Sequence, residues 1–211
     1  ASLTVLALVG VISTYFLFPE ERIELFEGIH SFLYLQSNIW APKAISYFGI
    51  GIDYKPIIHY WTLSIELQYY ILFGIILSIL LRTNIDSLAL IISILIFISS
   101  LSYALLNIKE DPNLGYFSSL MRVWEFTLGV ILSLSLIRLR INEINPRVRN
   151  LLVGAGVILL FISFSLLDSR SNFPGLMALV PTSGAILIIA FGSHDSFFSR
   201  CLSVKWLQLL G

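Results

Sequence analysis

Residues 60–81 read YWTLSIELQYYILFGIILSILL, an apolar run whose single charged side chain is Glu66. A helix that crosses the hydrocarbon core of a bilayer needs about 20 predominantly apolar residues. Inside lipid every backbone N–H and C=O must be paired within the segment, so such a run predicts a helix and not a strand. Outward from it, five further runs have the same character: 2–18, 86–106, 117–137, 150–167 and 175–192. The expected fold is all-α, a polytopic transmembrane helical bundle with about six spanning helices. The last two runs are a little short, and Gly154, Gly156 and Gly184 within them would let those helices approach closely.

Composition points the same way. The chain has 211 residues, of which 57% are hydrophobic and 12% charged, with a mean hydropathy of +0.88. A soluble domain carries about 25% charged residues, so this chain could not cover its own surface with polar groups. Net charge is zero, which argues against a nucleic-acid partner, since that needs a basic face. Cys201 is the single cysteine; no intrachain disulfide can form, and the residue reads as a small apolar filler. The chain opens without a Met inside an apolar run and closes on Val204–Gly211, which resembles the start of another apolar segment. It reads as an internal piece of a longer membrane protein.

Between the first two runs lies a long segment, 19–58, holding Pro19, Pro42, Pro56 and several acidic and aromatic residues. Glu20, Glu24, Glu27 and Ser31 fall on one helical face and Ile23, Phe26, Ile29 or His30, and Leu33 on another. That pattern predicts an amphipathic helix, lying in the membrane interface or packed in an extramembrane cap. Basic residues set the orientation. Arg82, Arg138, Arg140, Arg147, Arg149, Arg200 and Lys205 fall on one set of loops. Arg22, Lys43, Lys55, Lys109 and Arg170 fall on the other, diluted among acidic residues. The 138–149 loop is therefore expected in the cytoplasm and the 19–58 segment outside it, periplasmic or extracellular.

An ionisable group within a spanning helix is costly, about 2.5–3.5 kcal/mol on insertion scales, and is retained where it meets a partner or a polar cavity. Three such residues stand out: Glu66 in one run, Arg122 and Glu125 in another. On a helix, His59, Thr62, Glu66 and Tyr70 form one stripe. This stripe suits the wall of a wet cavity, with Ser64 and Gln68 beside it. His59 can relay a proton near neutral pH. Arg122 and Glu125 lie one turn apart and read either as an intrahelical ion pair or as a pair from which Arg122 also reaches Glu66 or an anionic substrate group. His30 and His194 read as surface histidines. No His/Cys/carboxylate spacing suits zinc, and neither phosphate-binding nor dinucleotide fingerprints occur. Trp40, Trp61, Trp124 and Trp206 fall near run ends, where aromatic-belt anchoring is the expected role.

Pro56-Ile-Ile-His59-Tyr-Trp-Thr-Leu-Ser-Ile-Glu66-Leu-Gln-Tyr-Tyr70 closely resembles the signature of the acyltransferase-3 superfamily, whose pattern is approximately P-L-x-H-x-W-S-L-x-x-E-x-Q-F-Y. Thr62 and Tyr69 are the mild departures. Phe18-Pro-Glu-Glu21, Gln36-Ser-Asn-Ile-Trp40 with Tyr47-Phe48, Tyr116 to Gly129 around Arg122-Val-Trp-Glu125, Phe173-Pro-Gly175 and Leu207–Gly211 also fit the family in order. The resemblance covers nearly the whole chain. It implies a bacterial inner-membrane, multi-pass O-acyltransferase of about ten spans, of which this chain holds the third through eighth. The family's first helix, with its basic residue and central His, and its last helices would lie beyond the chain, which alone is then expected to be inactive.

The resemblance further implies acyl-CoA, usually acetyl-CoA, as donor substrate, with no bound cofactor and no metal. The acceptor would be a hydroxyl of a cell-surface polysaccharide, another glycan or a lipid-linked sugar, as in lipopolysaccharide modification. Glu66, Arg122 and His59 are then the catalytic candidates. Trp61, Thr62, Tyr70, Glu125, Ser37 and Asn38 are the substrate-binding ones. Two alternatives remain: a membrane transporter or glycan carrier, which would show inverted repeats and broken helices, and a non-catalytic remnant of the acyltransferase.

Overall fold

A computed structural model of the chain describes residues 2–48, 57–82, 86–108, 112–138, 144–166, 175–192 and 204–205. Nine α-helices run through the described residues: α1 (Ser2–Phe16), α2 (Pro19–Leu33), α3 (Ser37–Phe48), α4 (Tyr60–Arg82), α5 (Asp86–Asn107), α6 (Pro112–Phe117), α7 (Ser119–Arg138), α8 (Pro146–Leu166) and α9 (Leu179–Phe191). No strand occurs among these residues. Pro56, Arg140, Phe173, Pro174, His194, Cys201, Trp206 and the closing Leu207–Gly211 motif lie outside the described residues.

Among the described residues, four helices are long and apolar enough to cross a membrane: Tyr60–Leu80, Ser87–Asn107, Ser119–Leu136 and Pro146–Leu166. The chain is a multi-pass membrane protein. The two remaining expected spans are apolar helices of lesser length, Leu3–Phe16 and Leu176–Phe191. α1 stops because Pro19 cannot continue it, and Pro19 instead occupies the first turn of α2. The start of the last run tightens into a 3₁₀ turn, Leu176–Ala178, before α9 begins.

The chain divides into two compact units. The first comprises residues 1–79 and 116–119. Its core joins Leu6 of α1, Leu25 and Phe32 of α2 and Ile57 before α4, with Val9, Ile29, Trp40, Tyr60, Leu63 and Leu67 packed around them. The faces of α2 differ from the sequence expectation. Leu25, Gly28, Ser31 and Phe32 are buried, whereas Ile23, Phe26 and Leu33 are exposed. Ser31 belongs to the packed face because its hydroxyl donates to the Gly28 carbonyl (2.7 Å) and lies 3.3 Å from the Ser37 hydroxyl. In lipid an apolar side chain gains little by leaving its surroundings, so the apolar side of a helix need not be its core side.

The second unit comprises residues 80–115 and 120–211. Here α8 and α9 cross at Gly156 and Gly184, as the glycine positions predicted. A Cβ on Gly156 would stand 2.7 Å from the Gly184 carbonyl oxygen, and one on Gly184 2.8 Å from that of Gly156. α5 and α7 meet through Ser100. Its hydroxyl donates to the Leu120 carbonyl (2.5 Å) and accepts from the Trp124 N–H (3.1 Å). Those two backbone groups are the pair that an α-helix ordinarily joins to each other.

Candidate functional site

In the first unit, α4 carries the expected stripe. Thr62 and Tyr70 are exposed, Glu66 is half-buried and His59 is exposed in the turn that leads into the helix. The Tyr70 hydroxyl donates to Glu66 Oε1 at 2.7 Å, and the Thr62 hydroxyl donates to the His59 carbonyl at 2.9 Å. Glu66 lies six residues past Tyr60, about 9 Å along the helix axis. The opposite face is packed. Trp61, Ser64, Ile65 and Tyr69 are buried, and Trp61 contacts the rings of Tyr116 (4.8 Å) and Phe117 (4.9 Å). A carboxylate and a phenol are thus presented side by side on the open face of a helix of membrane-spanning length. Lipid cannot solvate that pair, so the face calls for a polar surrounding.

Gln68, which the sequence reading set beside the stripe, turns out to hold the packed side together. Its amide nitrogen donates to the Leu35 carbonyl and to Asn38 Oδ1 (3.0 Å), and its oxygen accepts from the Ser119 hydroxyl (2.7 Å). Asn38 in turn donates to the Phe117 carbonyl (3.3 Å) and the Ser119 hydroxyl (3.2 Å). One amide therefore ties the α2–α3 turn, the start of α3 and the α6–α7 junction to α4. Ser37 and Asn38, expected to bind substrate, are buried, with their side chains engaged in these internal contacts. Two advance signals for Gln68 stood in the sequence: a polar residue inside a spanning run, and its match to the fixed glutamine of the family signature.

In the second unit, Arg122 and Glu125 form the expected ion pair on α7. Arg122 Nη2 and Nε lie 3.0 and 3.2 Å from Glu125 Oε2, with side-chain exposures of 18% and 15%. Glu125 Oε1 is buried and has no hydrogen-bond partner among the described residues. Trp124 is fully buried, with its ring 6.2 Å from that of Phe97 in an edge arrangement. Trp61 and Trp124 are therefore packing residues, not belt anchors, because each has aromatic neighbours on other segments. No group of three or more His, Cys, Asp or Glu suited to a metal occurs among the described residues.

A family model described as an acyltransferase domain matches residues 3–211. The chain belongs to the acyltransferase-3 family. Acyltransferase-3 relatives match along most of its length. An uncharacterized protein of Haemophilus influenzae is 28% identical over 204 residues, 93% of this chain and 83% of that protein. A protein of Komagataeibacter xylinus, provisionally named the membrane-bound transacylase BcsY, is 29% identical, covering 90% of this chain and 47% of its own length. The peptidoglycan O-acetyltransferase OatA of Listeria monocytogenes is 26% identical, covering 98% and 35%. The chain thus spans less than half of these two relatives whose names carry an activity. No solved structure matches it.

Proposed function

We propose that the protein is a membrane O-acyltransferase that moves an acyl group, in the simplest case acetyl, from acyl-CoA to a hydroxyl of a cell-surface polysaccharide or other glycan. The observation that carries this reading is the Glu66–Tyr70 pair on the open face of α4, set in a chain whose family is acyltransferase. The name of one relative, a peptidoglycan O-acetyltransferase, supports the acceptor class, and that of another, a transacylase, supports the reaction class.

The reaction needs three things. A base takes the proton of the acceptor hydroxyl as its oxygen attacks the thioester carbonyl. Donors or a cation hold the oxyanion of the tetrahedral intermediate. The CoA thiolate then leaves and is protonated as the ester forms. In this proposal Glu66, kept in place by Tyr70, orients the acceptor hydroxyl or the base that deprotonates it. Arg122, held by Glu125, supplies fixed positive charge for an anionic part of the donor. His59, Trp61 and Thr62 shape the acceptor side, with Ser37 and Asn38 supporting that wall from behind. In this proposal the 138–149 loop, with its arginines, faces the cytoplasm, where acyl-CoA is made, and the 19–58 segment lies on the opposite side.

The test is mass spectrometry of surface glycans from cells with and without the gene, fed isotopically labelled acetate. Loss of labelled O-acetyl esters on deletion, restored by the gene, is the expected result. Identical ester content in both strains would overturn the assignment.

A further inference from the structure

Between α2 and α3 runs a groove of about 560 Å³, inside the range of small-molecule sites, about 300–1,000 Å³. Its polar and aromatic lining comes from Glu27, His30, Ser31, Gln36, Trp40 and Lys43, set among apolar residues of both helices. Apart from Trp40, which also packs in the first unit's core, and Ser31, which pairs with Ser37, none of these takes part in the contacts described above.

Two features make the groove a built one. First, Trp40 lies close against α2 because residue 28 is glycine. A Cβ there would stand 2.8 Å from Trp40 Cη2 and 2.3 Å from Ile57 Cδ1. Second, the turn that closes the groove is held in a conformation a leucine does not choose. Leu35 has φ 58°, the left-handed region, which is unfavourable for an L-residue with a Cβ. It sits where a helix C-terminus ordinarily carries glycine. The Gln36 N–H bonds the Ser31 carbonyl (2.7 Å) and the Leu35 N–H the Phe32 carbonyl (2.8 Å), the double bond pattern of that motif. The Leu35 carbonyl is then clamped by Gln68. Such strain persists where surrounding contacts over-determine it, and it favours pre-organised sites. Gln68 is two residues beyond Glu66, so the clamp on this groove and the candidate carboxylate ride on one helix.

The lining chemistry selects a ligand class. Glu27 only accepts when ionised, Lys43 only donates, and Gln36, Ser31 and His30 do both. Glu27 and Lys43 balance in formal charge. A phosphate headgroup would gain from Lys43 but be opposed by Glu27. A neutral sugar ring offers hydroxyls that both donate and accept, and an apolar C–H face that suits a flat indole. We infer that this groove holds a pyranose ring of the acceptor glycan, its C–H face on Trp40 and its hydroxyls shared among Glu27, Gln36 and Lys43. The inference rests on the acceptor half of the proposed function and names the surface that recognises it.

The test measures binding without acyl donor, so it does not depend on catalysis. The full-length protein in lipid nanodiscs is titrated with neutral oligomers of N-acetylglucosamine, glucose and galactose, then with glycerol 3-phosphate as competitor. Glu27→Gln and Lys43→Gln both change exposed positions. Each is expected to weaken the bound oligomer about tenfold, as loss of a charged hydrogen bond does, with thermal stability unchanged. The inference is overturned if no oligomer binds the unaltered protein, if both variants bind as it does, or if glycerol 3-phosphate displaces the sugar. Acyl transfer is measured in parallel. Sugar binding without any transfer would remove the enzyme reading and leave the groove. Transfer with an unchanged glycan KM in both variants would remove the groove and leave the enzyme.

Discussion

Gln68→Glu replaces one NH₂ by an oxygen and leaves the shape of the side chain intact. In the native arrangement that NH₂ donates to two oxygens, the Leu35 carbonyl and Asn38 Oδ1. An ionised glutamate would turn both hydrogen bonds into oxygen–oxygen contacts, while still accepting from Ser119. Interhelical hydrogen bonds in membranes average about 0.6 kcal/mol, those in soluble proteins about 0.5–1.5. Loss of two bonds therefore removes roughly 1–3 kcal/mol, and opposing buried oxygens raise the total to roughly 2–4. Asn38 offers no escape. Rotating its amide to donate to the introduced carboxylate would forfeit its bonds to Phe117 and Ser119. Gln68→Met, which empties the network without adding charge, should be milder by about 1 kcal/mol or more. Detergent titration of the purified protein in mixed micelles reads both values. A Gln68→Glu protein within about 0.5 kcal/mol of the original, the usual range of an inconsequential surface change, would refute the reasoning.

Three other changes probe the second unit. Gly156→Ala must push apart α8 and α9, because its Cβ would meet the Gly184 carbonyl at 2.7 Å and Ile188 Cγ1 at 3.0 Å; the same titration should show a loss of about 1–3 kcal/mol. Gly74→Ala in the first unit, with nothing within 4 Å of the new Cβ, is the control and should show none. Ser100→Ala removes the hydroxyl that bridges Leu120 and Trp124, and should reduce stability by about 1 kcal/mol and speed hydrogen exchange at the Trp124 amide. A double-mutant cycle of Arg122→Gln and Glu125→Gln should give a coupling energy of about 1–3 kcal/mol, and a value near zero would mean that the two charges are held independently.

The long helices α4, α5, α7 and α8 were legible in the sequence because lipid makes the length of an apolar run decisive. The Arg122–Glu125 pair and the Glu66–Tyr70 contact were legible for a related reason, since both join positions one turn apart on a single helix. Contacts between helices were not. Gln68 meets Leu35, Asn38 and Ser119, positions far apart in the chain, and no periodicity gives the rotation of one helix against another. The buried Trp61 was obscured in the same way, since its partners Tyr116 and Phe117 arrive from a distant segment. On α2 the pattern itself misled. Acidic residues marked one side, yet Ser31 beside them turned inward to Ser37 while Ile23 and Phe26 faced out. The ends of α1 and the last apolar run were shortened by local chemistry, a proline and a 3₁₀ turn, where hydropathy alone extends a run.

The functional proposal turns on whether the α4 carboxylate takes part in moving an acyl group. The decisive quantity is the rate of transfer from labelled acetyl-CoA to the surface glycan by the full-length protein carrying Glu66→Gln, which still accepts the Tyr70 hydroxyl but loses the charge. The rate should fall about 100-fold or more, the scale of a lost acid–base or orienting group, with folding and sugar binding intact. A Glu66→Gln protein that transfers acetyl at the unaltered rate would contradict the account.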